Sequence, residues 1–211
     1  EPIPRGRQKQ HRIYEMTYEE VARYDCGSRG HPRFPEQMKV EAVKPLLTQV
    51  IDTAEAYVDR HDRPPIRYNL ETKSQPKWDG TFHPPPERFT ELVLEVLRAK
   101  GVTDRATLQS FDPRTLRVAR EREPELVLSL LIGRSLRPGL QRHVDRLGFT
   151  PEVFSPYYQW VSTRRVEQAH EMGMEVIPWT VNETHAMRNL LEMGVDGIIT
   201  DYPNRAVELL K

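Results

Sequence analysis

The chain has 211 residues, the size of one domain, and its composition excludes several classes of partner. The 31 lysines and arginines balance 31 aspartates and glutamates, so no field of one sign is present to attract nucleic acid. The single cysteine, Cys26, allows no intrachain disulfide and no cysteine-based zinc site. No stretch approaches the ~20 consecutive apolar residues of a membrane span. We expect one domain over residues 1–211, with the compartment and oligomeric state left open.

The first helices are predicted from a cap and from apolar spacing. Thr17 is followed three residues later by Glu20, which is the pattern of a capping box at a helix start. After Pro45, apolar residues recur at the spacing expected for a helix with one buried face: Leu46, Leu47, Val50, Ile51, Ala54 and Val58.

From there to the C-terminus, predicted strands and helices alternate, which is typical of βα units around a parallel sheet. Strands are predicted at residues 66–73, 106–111, 126–132, 153–157, 174–181 and 197–201. Helices are predicted at residues 87–100, 113–123, 163–172 and 183–193. Gly101, Gly173 and Gly194 stand where a left-handed residue ends a helix.

Such a pattern fits an open doubly wound sheet or a closed barrel. No Gly-rich turn of the GxGxxG type joins a strand to a helix, which disfavours a dinucleotide-binding sheet. A (β/α) barrel needs eight strands in about 250 residues, and the predicted strands fall short of that number. Periodicity alone leaves both architectures open.

Candidate site residues stand at the ends of these strands, because parallel barrels place their reacting groups there. Alternation puts Glu71 and Lys73 on one face of the first strand. Together they offer an oxygen ligand for a hard cation and a positive charge for a phosphate oxygen. The alternative interpretation of the pair is an ordinary ion pair without function.

Two further strand ends carry candidate groups. Trp179 offers a flat apolar wall for a substrate pocket, or else packs in the core. Asp201 is interpreted as a helix cap in preference to a ligand or acid-base group. The seven histidines form no HxH or HExxH pattern and no GxSxG is present, which excludes those zinc and serine hydrolase sites. His143, His170 and His185 are expected at the surface.

Read in order, the strand ends resemble those of a known family. The runs N-L-E-T-K at residues 69–73, Q-S-F-D at 109–112 and W-T-V-N at 179–182 are similar to strand motifs of the glycerophosphodiester phosphodiesterases. The ending G-V-D-G-I-I-T-D-Y-P at residues 194–203 resembles that family's final strand and is the most specific of the four.

The resemblance implies an α/β fold, a TIM-type (β/α) barrel of the phospholipase C-like phosphodiesterase kind. It implies metal-dependent hydrolysis of small glycerophosphodiesters to glycerol 3-phosphate and an alcohol, with calcium or magnesium as cofactor. By motif, Glu71 would be a metal ligand, Lys73 would act as a catalytic residue on a phosphate oxygen, and Phe111 and Trp179 would line the substrate pocket.

The sequence departs from the family at its beginning. The family's opening H-R-G, P-E-N-T and E-x-D motifs do not occur, and the chain is expected to begin just after the family's H-D motif; these motifs supply two histidines and further carboxylates. We therefore expect a barrel incomplete at its N-terminus, and a chain that by itself binds metal poorly and is inactive. The alternatives are a non-catalytic barrel used for binding or scaffolding, and a related phospholipase acting on a lipid phosphodiester.

Overall fold

The computed structural model describes residues 3, 6–134 and 139–211. The chain divides into two compact units: Glu1–Ile66 with Pro76–Pro85, and Arg67–Gln75 with Pro86–Lys211. The interpretation of residues 1–211 as a single domain stays a prediction. No helix in the described part of the chain has the length and apolar character needed to cross a bilayer.

The first unit contains helices α1 (Tyr18–Val21) and α2 (Leu47–Arg60). The predicted capping box is confirmed, because the Glu20 N–H donates to Thr17 Oγ1 at 3.3 Å and the Thr17 N–H donates to Glu20 Oε2 at 2.8 Å. The predicted amphipathic helix is confirmed as α2, which buries Ile51 and Val58.

The loop between these helices is organised by one carboxylate. Asp25 Oδ1 accepts hydrogen bonds from the backbone N–H groups of Gly27, Ser28 and Ala42. These bonds, the one from Gly27 first, hold the pKa of Asp25 below its usual value. Gly27 is required here, since a Cβ would lie 2.0 Å from the Val40 carbonyl oxygen.

In the described part of the second unit, five parallel strands form a sheet in the order β1-β2-β3-β4-β5. The strands are β1 (Tyr68–Glu71), β2 (Ala106–Ser110), β3 (Val127–Ile132), β4 (Val153–Pro156) and β5 (Glu175–Val176). A doubly wound sheet reverses its strand order at a switch point. Strands that follow one another without reversal are those of a (β/α) barrel, so the doubly wound alternative is wrong.

Helices connect or follow these strands in the second unit. They are α3 (Pro86–Lys100), α4 (Pro113–Arg122), α5 (Leu140–Leu147), α6 (Thr163–Glu171), α7 (Thr184–Glu192) and α8 (Pro203–Leu209). Four of the six were predicted. Gly101, Gly173 and Gly194 have φ angles of 64°, 77° and 85°, which confirms the left-handed helix ends.

The last two predicted strands are less regular than expected. The strand predicted at 174–181 is regular only in β5, because Pro178 has no N–H to donate to the ladder. Beyond β5, Trp179 N still bonds to the Pro156 oxygen at 3.1 Å. The strand predicted at 197–201 is not a regular strand, although Ile199 N bonds to the Pro178 oxygen at 2.9 Å.

The two faces of the sheet differ in chemistry. Alternate residues such as Leu108 and Leu128 are fully buried. The intervening residues line a cavity of about 640 Å³, in which Val153 and Ile177 stand beside Thr107, Ser129 and Ser155. This second face is the inner face of the sheet, where a barrel holds its interior side chains.

Beyond the end of β1, buried polar side chains tie the chain to α4. Ser74 Oγ donates to Asp112 Oδ2 at 3.0 Å, and Thr72 Oγ1 lies 2.8 Å from Thr115 Oγ1. Ser110 Oγ donates to the Thr72 carbonyl oxygen at 2.9 Å. We call these five residues the polar network. It fixes which way residues 72 and 74 point, and therefore leaves residues 71 and 73 for the opposite face.

Asp112 is the central member of the polar network. It is the N-cap of α4, accepting from the Arg114 N–H at 3.0 Å, and its carboxylate also binds the Arg114 guanidinium, with Nη2 at 2.7 Å. Burial raises the pKa of Asp112, but the hydrogen bonds from Arg114 and Ser74 outweigh it and leave the pKa below its usual value.

We expect Asp112→Ala to lower the free energy of unfolding by about 2–3 kcal/mol, since a cap and a buried charged partner are lost together. Urea denaturation at pH 7 measures the change, with Glu121→Ala on the exposed face of α4 as the control. As pH falls through the depressed pKa of Asp112, the wild type should lose the free energy of unfolding that this carboxylate contributes. The variant Asp112→Ala should show no such loss. Equal stability of the two variants would contradict the role given to Asp112.

His143 corrects the expectation of a surface residue: it is 8% exposed, and its Nε2 has no partner among the described residues. Desolvation, and then the charge of Arg146, lower the pKa of His143. The unfolded chain therefore takes up a proton near pH 6.5 that the folded chain resists.

As pH falls from 7 to 5, the free energy of unfolding should decline more steeply in the wild type than in His143→Leu. Denaturation midpoints across this pH range give the two slopes. His185→Leu, at an exposed position, is the control. Parallel slopes for the wild type and His143→Leu would refute a depressed pKa.

Candidate active site

β1 ends in the first predicted pair of site residues. Glu71 Oε2 lies 2.9 Å from Lys73 Nζ, with the glutamate side chain 20% exposed and the lysine side chain 80% exposed. Glu71 and Lys73 thus form an ion pair, as the alternative interpretation of the sequence expected. It also stands at the carboxyl end of the sheet, with the ammonium open to an incoming anion.

The neighbouring strand places Phe111 at the same end. In the register of β1 and β2, Glu71 is opposite Gln109, and Phe111 follows Gln109 by two residues. Gln109 is 8% exposed, and its Oε1 has no hydrogen-bond partner among the described residues. Phe111 is 43% exposed, which is unusual for so large an apolar side chain.

Phe111 meets the other predicted pocket residue directly. Its ring and that of Trp179 contact edge to face, with centroids 5.2 Å apart, and the Tyr157 ring lies 5.6 Å from Trp179. The Trp179 indole N–H donates to the Ser155 carbonyl oxygen at 3.1 Å, which fixes the ring plane. We call Phe111, Tyr157 and Trp179 the aromatic wall, and this wall together with Glu71 and Lys73 the mouth.

Sequence reasoning missed a cation at this wall. Arg134 follows β3 by two residues, and its guanidinium lies 4.4 Å from the centroid of Tyr157. The signal was present, because Arg134 is a polar residue just after a predicted strand, yet the end of that strand was not among those singled out. Tyr157, the last residue of a predicted strand, was missed in the same way.

Asp201 does not cap a helix, so that interpretation is wrong. The N-cap of α8 is Tyr202, and Asp201 Oδ2 instead accepts a hydrogen bond from Asn182 Nδ2 at 2.9 Å. Asn182 Oδ1 also accepts from the Asp201 N–H at 3.0 Å. Pro203 at the first helical position explains the difference, since proline there needs no side-chain cap for its missing N–H.

The residues at the mouth do not make a complete metal site. Glu71 is a single carboxylate already paired with Lys73, whereas calcium takes about six to eight oxygen ligands. In residues 6–134 and 139–211, no group of three or more His, Cys, Asp or Glu side chains is arranged to hold a metal ion. The donor set therefore does not fit a divalent cation without further ligands.

Comparison with known proteins identifies the family. The model of the glycerophosphoryl diester phosphodiesterase family matches residues 3–205. A glycerophosphodiester phosphodiesterase of Caldanaerobacter subterraneus is 26% identical over 201 residues, which cover 94% of this chain and 73% of that protein.

Solved structures agree with this match. A glycerophosphoryl diester phosphodiesterase structure from Silicibacter pomeroyi is 31% identical with a TM-score of 0.75, covering 90% of this chain and 66% of that one. A phosphodiesterase of Oleispira antarctica, solved in complex with sn-glycerol-3-phosphate, shares the fold at 19% identity and a TM-score of 0.69, covering 93% of this chain and 70% of that one.

The chain thus spans about two thirds to three quarters of the length of these relatives. The family match covers nearly all of the chain, the strand order is that of a (β/α) barrel, and the motif resemblance is confirmed. The chain belongs to the glycerophosphoryl diester phosphodiesterase family.

Proposed function

We propose that this protein hydrolyses glycerophosphodiesters to glycerol 3-phosphate and an alcohol at the mouth. Family membership supports the reaction class. The observation that carries the proposal is the Glu71–Lys73 pair, held at the carboxyl end of β1 beside the strand that leads to Phe111. Parallel barrels use this end for chemistry.

Lys73, Phe111 and Trp179 each have a defined role in the proposal. The Lys73 ammonium binds a phosphate oxygen and stabilises the charge that develops on it, as a preorganised cation does best. Phe111 and Trp179 provide flat apolar surfaces against the carbon atoms of the substrate. Because Lys73 is 80% exposed, it reaches a ligand without first being freed from burial.

A divalent cation, calcium or magnesium, is the cofactor expected in this family, and it would polarise the phosphate when bound. Glu71 is the residue we assign as one of its ligands. The described residues do not complete the ligand set of such a cation. The same observation favours the second candidate function, a non-catalytic barrel that binds phosphodiesters without cleaving them.

The 211-residue chain should bind Ca²⁺ or Mg²⁺ no tighter than about 1 mM, and should release little glycerol 3-phosphate from glycerophosphocholine with either metal. Calorimetric titration of the two ions and an enzymatic assay for glycerol 3-phosphate test the two statements. Micromolar metal affinity, or turnover near the 1 to about 1,000 per second typical of enzymes, would contradict them.

Lys73→Met should weaken binding of sn-glycerol 3-phosphate in chelator by about tenfold, because a charge-assisted hydrogen bond is lost. Glu71→Gln should strengthen it, since the competing carboxylate charge is removed. Chemical-shift titrations of the isotope-labelled chain give the dissociation constants. Lys211→Met, which removes a charge at the exposed C-terminus, is the control. If neither mouth variant changes the affinity, the assignment of Lys73 fails.

A further inference from the structure

We propose that Arg134 selects the alcohol half of the substrate: the mouth favours glycerophosphodiesters whose alcohol is an uncharged polyol over those whose alcohol carries an ammonium group. This inference rests on the proposed function and adds the substrate class to it. The carrying observation is the position of the guanidinium on the face of Tyr157, inside the aromatic wall.

Aromatic side chains by themselves would suit a cationic alcohol such as choline, because ring faces attract quaternary ammonium groups. In this wall the cation is already supplied by the protein. The Arg134 guanidinium lies 4.4 Å from the centroid of Tyr157, which is 7% exposed, and so places a positive charge against the aromatic wall. A second cation placed there would meet repulsion from the first.

No carboxylate at the mouth offsets this charge. Within residues 6–134 and 139–211, Arg134 forms no ion pair with a carboxylate, and Glu71, the carboxylate of the mouth, is engaged by Lys73 at 2.9 Å. An ammonium-bearing alcohol therefore meets the positive charge of Arg134, while the carboxylate of the mouth is already paired with Lys73.

A polyol fits the same groups well. Guanidinium presents five N–H donors in a planar fork, which suits neighbouring hydroxyl oxygens as well as anions. Phe111 is 43% exposed and offers carbon surface against which the ring or chain of a polyol can pack. Gly133, next to Arg134, lies close to the Phe111 ring, since a Cβ there would be in ordinary van der Waals contact with it at 3.8 Å.

The test compares glycerophosphoinositol with glycerophosphocholine as ligands of the full chain in chelator. Shift titrations follow the indole N–H of Trp179, assigned with Trp179→Phe, so that binding is located as well as measured. Glycerophosphoinositol should bind about three- to tenfold more tightly, the size expected for one largely solvated charge. Arg134→Gln should remove that preference by improving glycerophosphocholine binding and weakening glycerophosphoinositol binding. Arg164→Gln, at an exposed position on α6, should keep it.

The outcomes separate this inference from the proposed function. If both ligands bind with equal affinity, or if Arg134→Gln changes both affinities by the same factor, selection by Arg134 is refuted while the phosphodiester site stands. If neither ligand shifts the Trp179 signal, the proposed function itself fails and the inference falls with it. Tighter binding of glycerophosphocholine in the wild type would reverse the assignment of substrate class.

Discussion

The hydrogen bonds of Asp112 are the constraint on which the mouth depends. Its carboxylate holds the start of α4 through the Arg114 N–H and holds the chain after β1 through Ser74. Because side chains alternate along an extended chain, a buried Ser74 and Thr72 place Lys73 and Glu71 on the opposite face. The direction of the two mouth residues is therefore set by buried groups that never meet the ligand.

The polar network and the Glu71–Lys73 pair differ in how much their interactions stabilise the fold. Buried polar groups cost about 1–3 kcal/mol each when unpaired, and the helix-facing side chains of the polar network are each hydrogen-bonded. The Glu71–Lys73 pair is largely solvated at its lysine end, so it adds little to stability. An ion pair of low energetic value can open for a ligand at little cost, whereas the polar network cannot.

Much of the local structure was predictable because local rules act within a few residues. Glycines after helices, a Thr-x-x-Glu cap and alternating apolar strands each determine their own surroundings, and the structure follows them. Other features depended on contacts distant in sequence. The burial of His143 depends on packing around α5, and the partner of Asp201 is Asn182, nineteen residues away. No local pattern in either segment specifies those neighbours.

The mouth likewise combines positions that short motifs predict with contacts between residues far apart in the sequence. Motif spacing located Glu71, Lys73, Phe111 and Trp179 along the chain, but not their contacts. The edge-to-face contact of Phe111 with Trp179 joins residues 68 positions apart, and Arg134 reaches Tyr157 from a different strand end. Parallel strands explain how this happens, since each one ends at the same edge of the sheet whatever its place in the sequence. A polar residue just after any strand of such a sheet is consequently a candidate for the mouth, and Arg134 meets that condition as fully as Lys73 does.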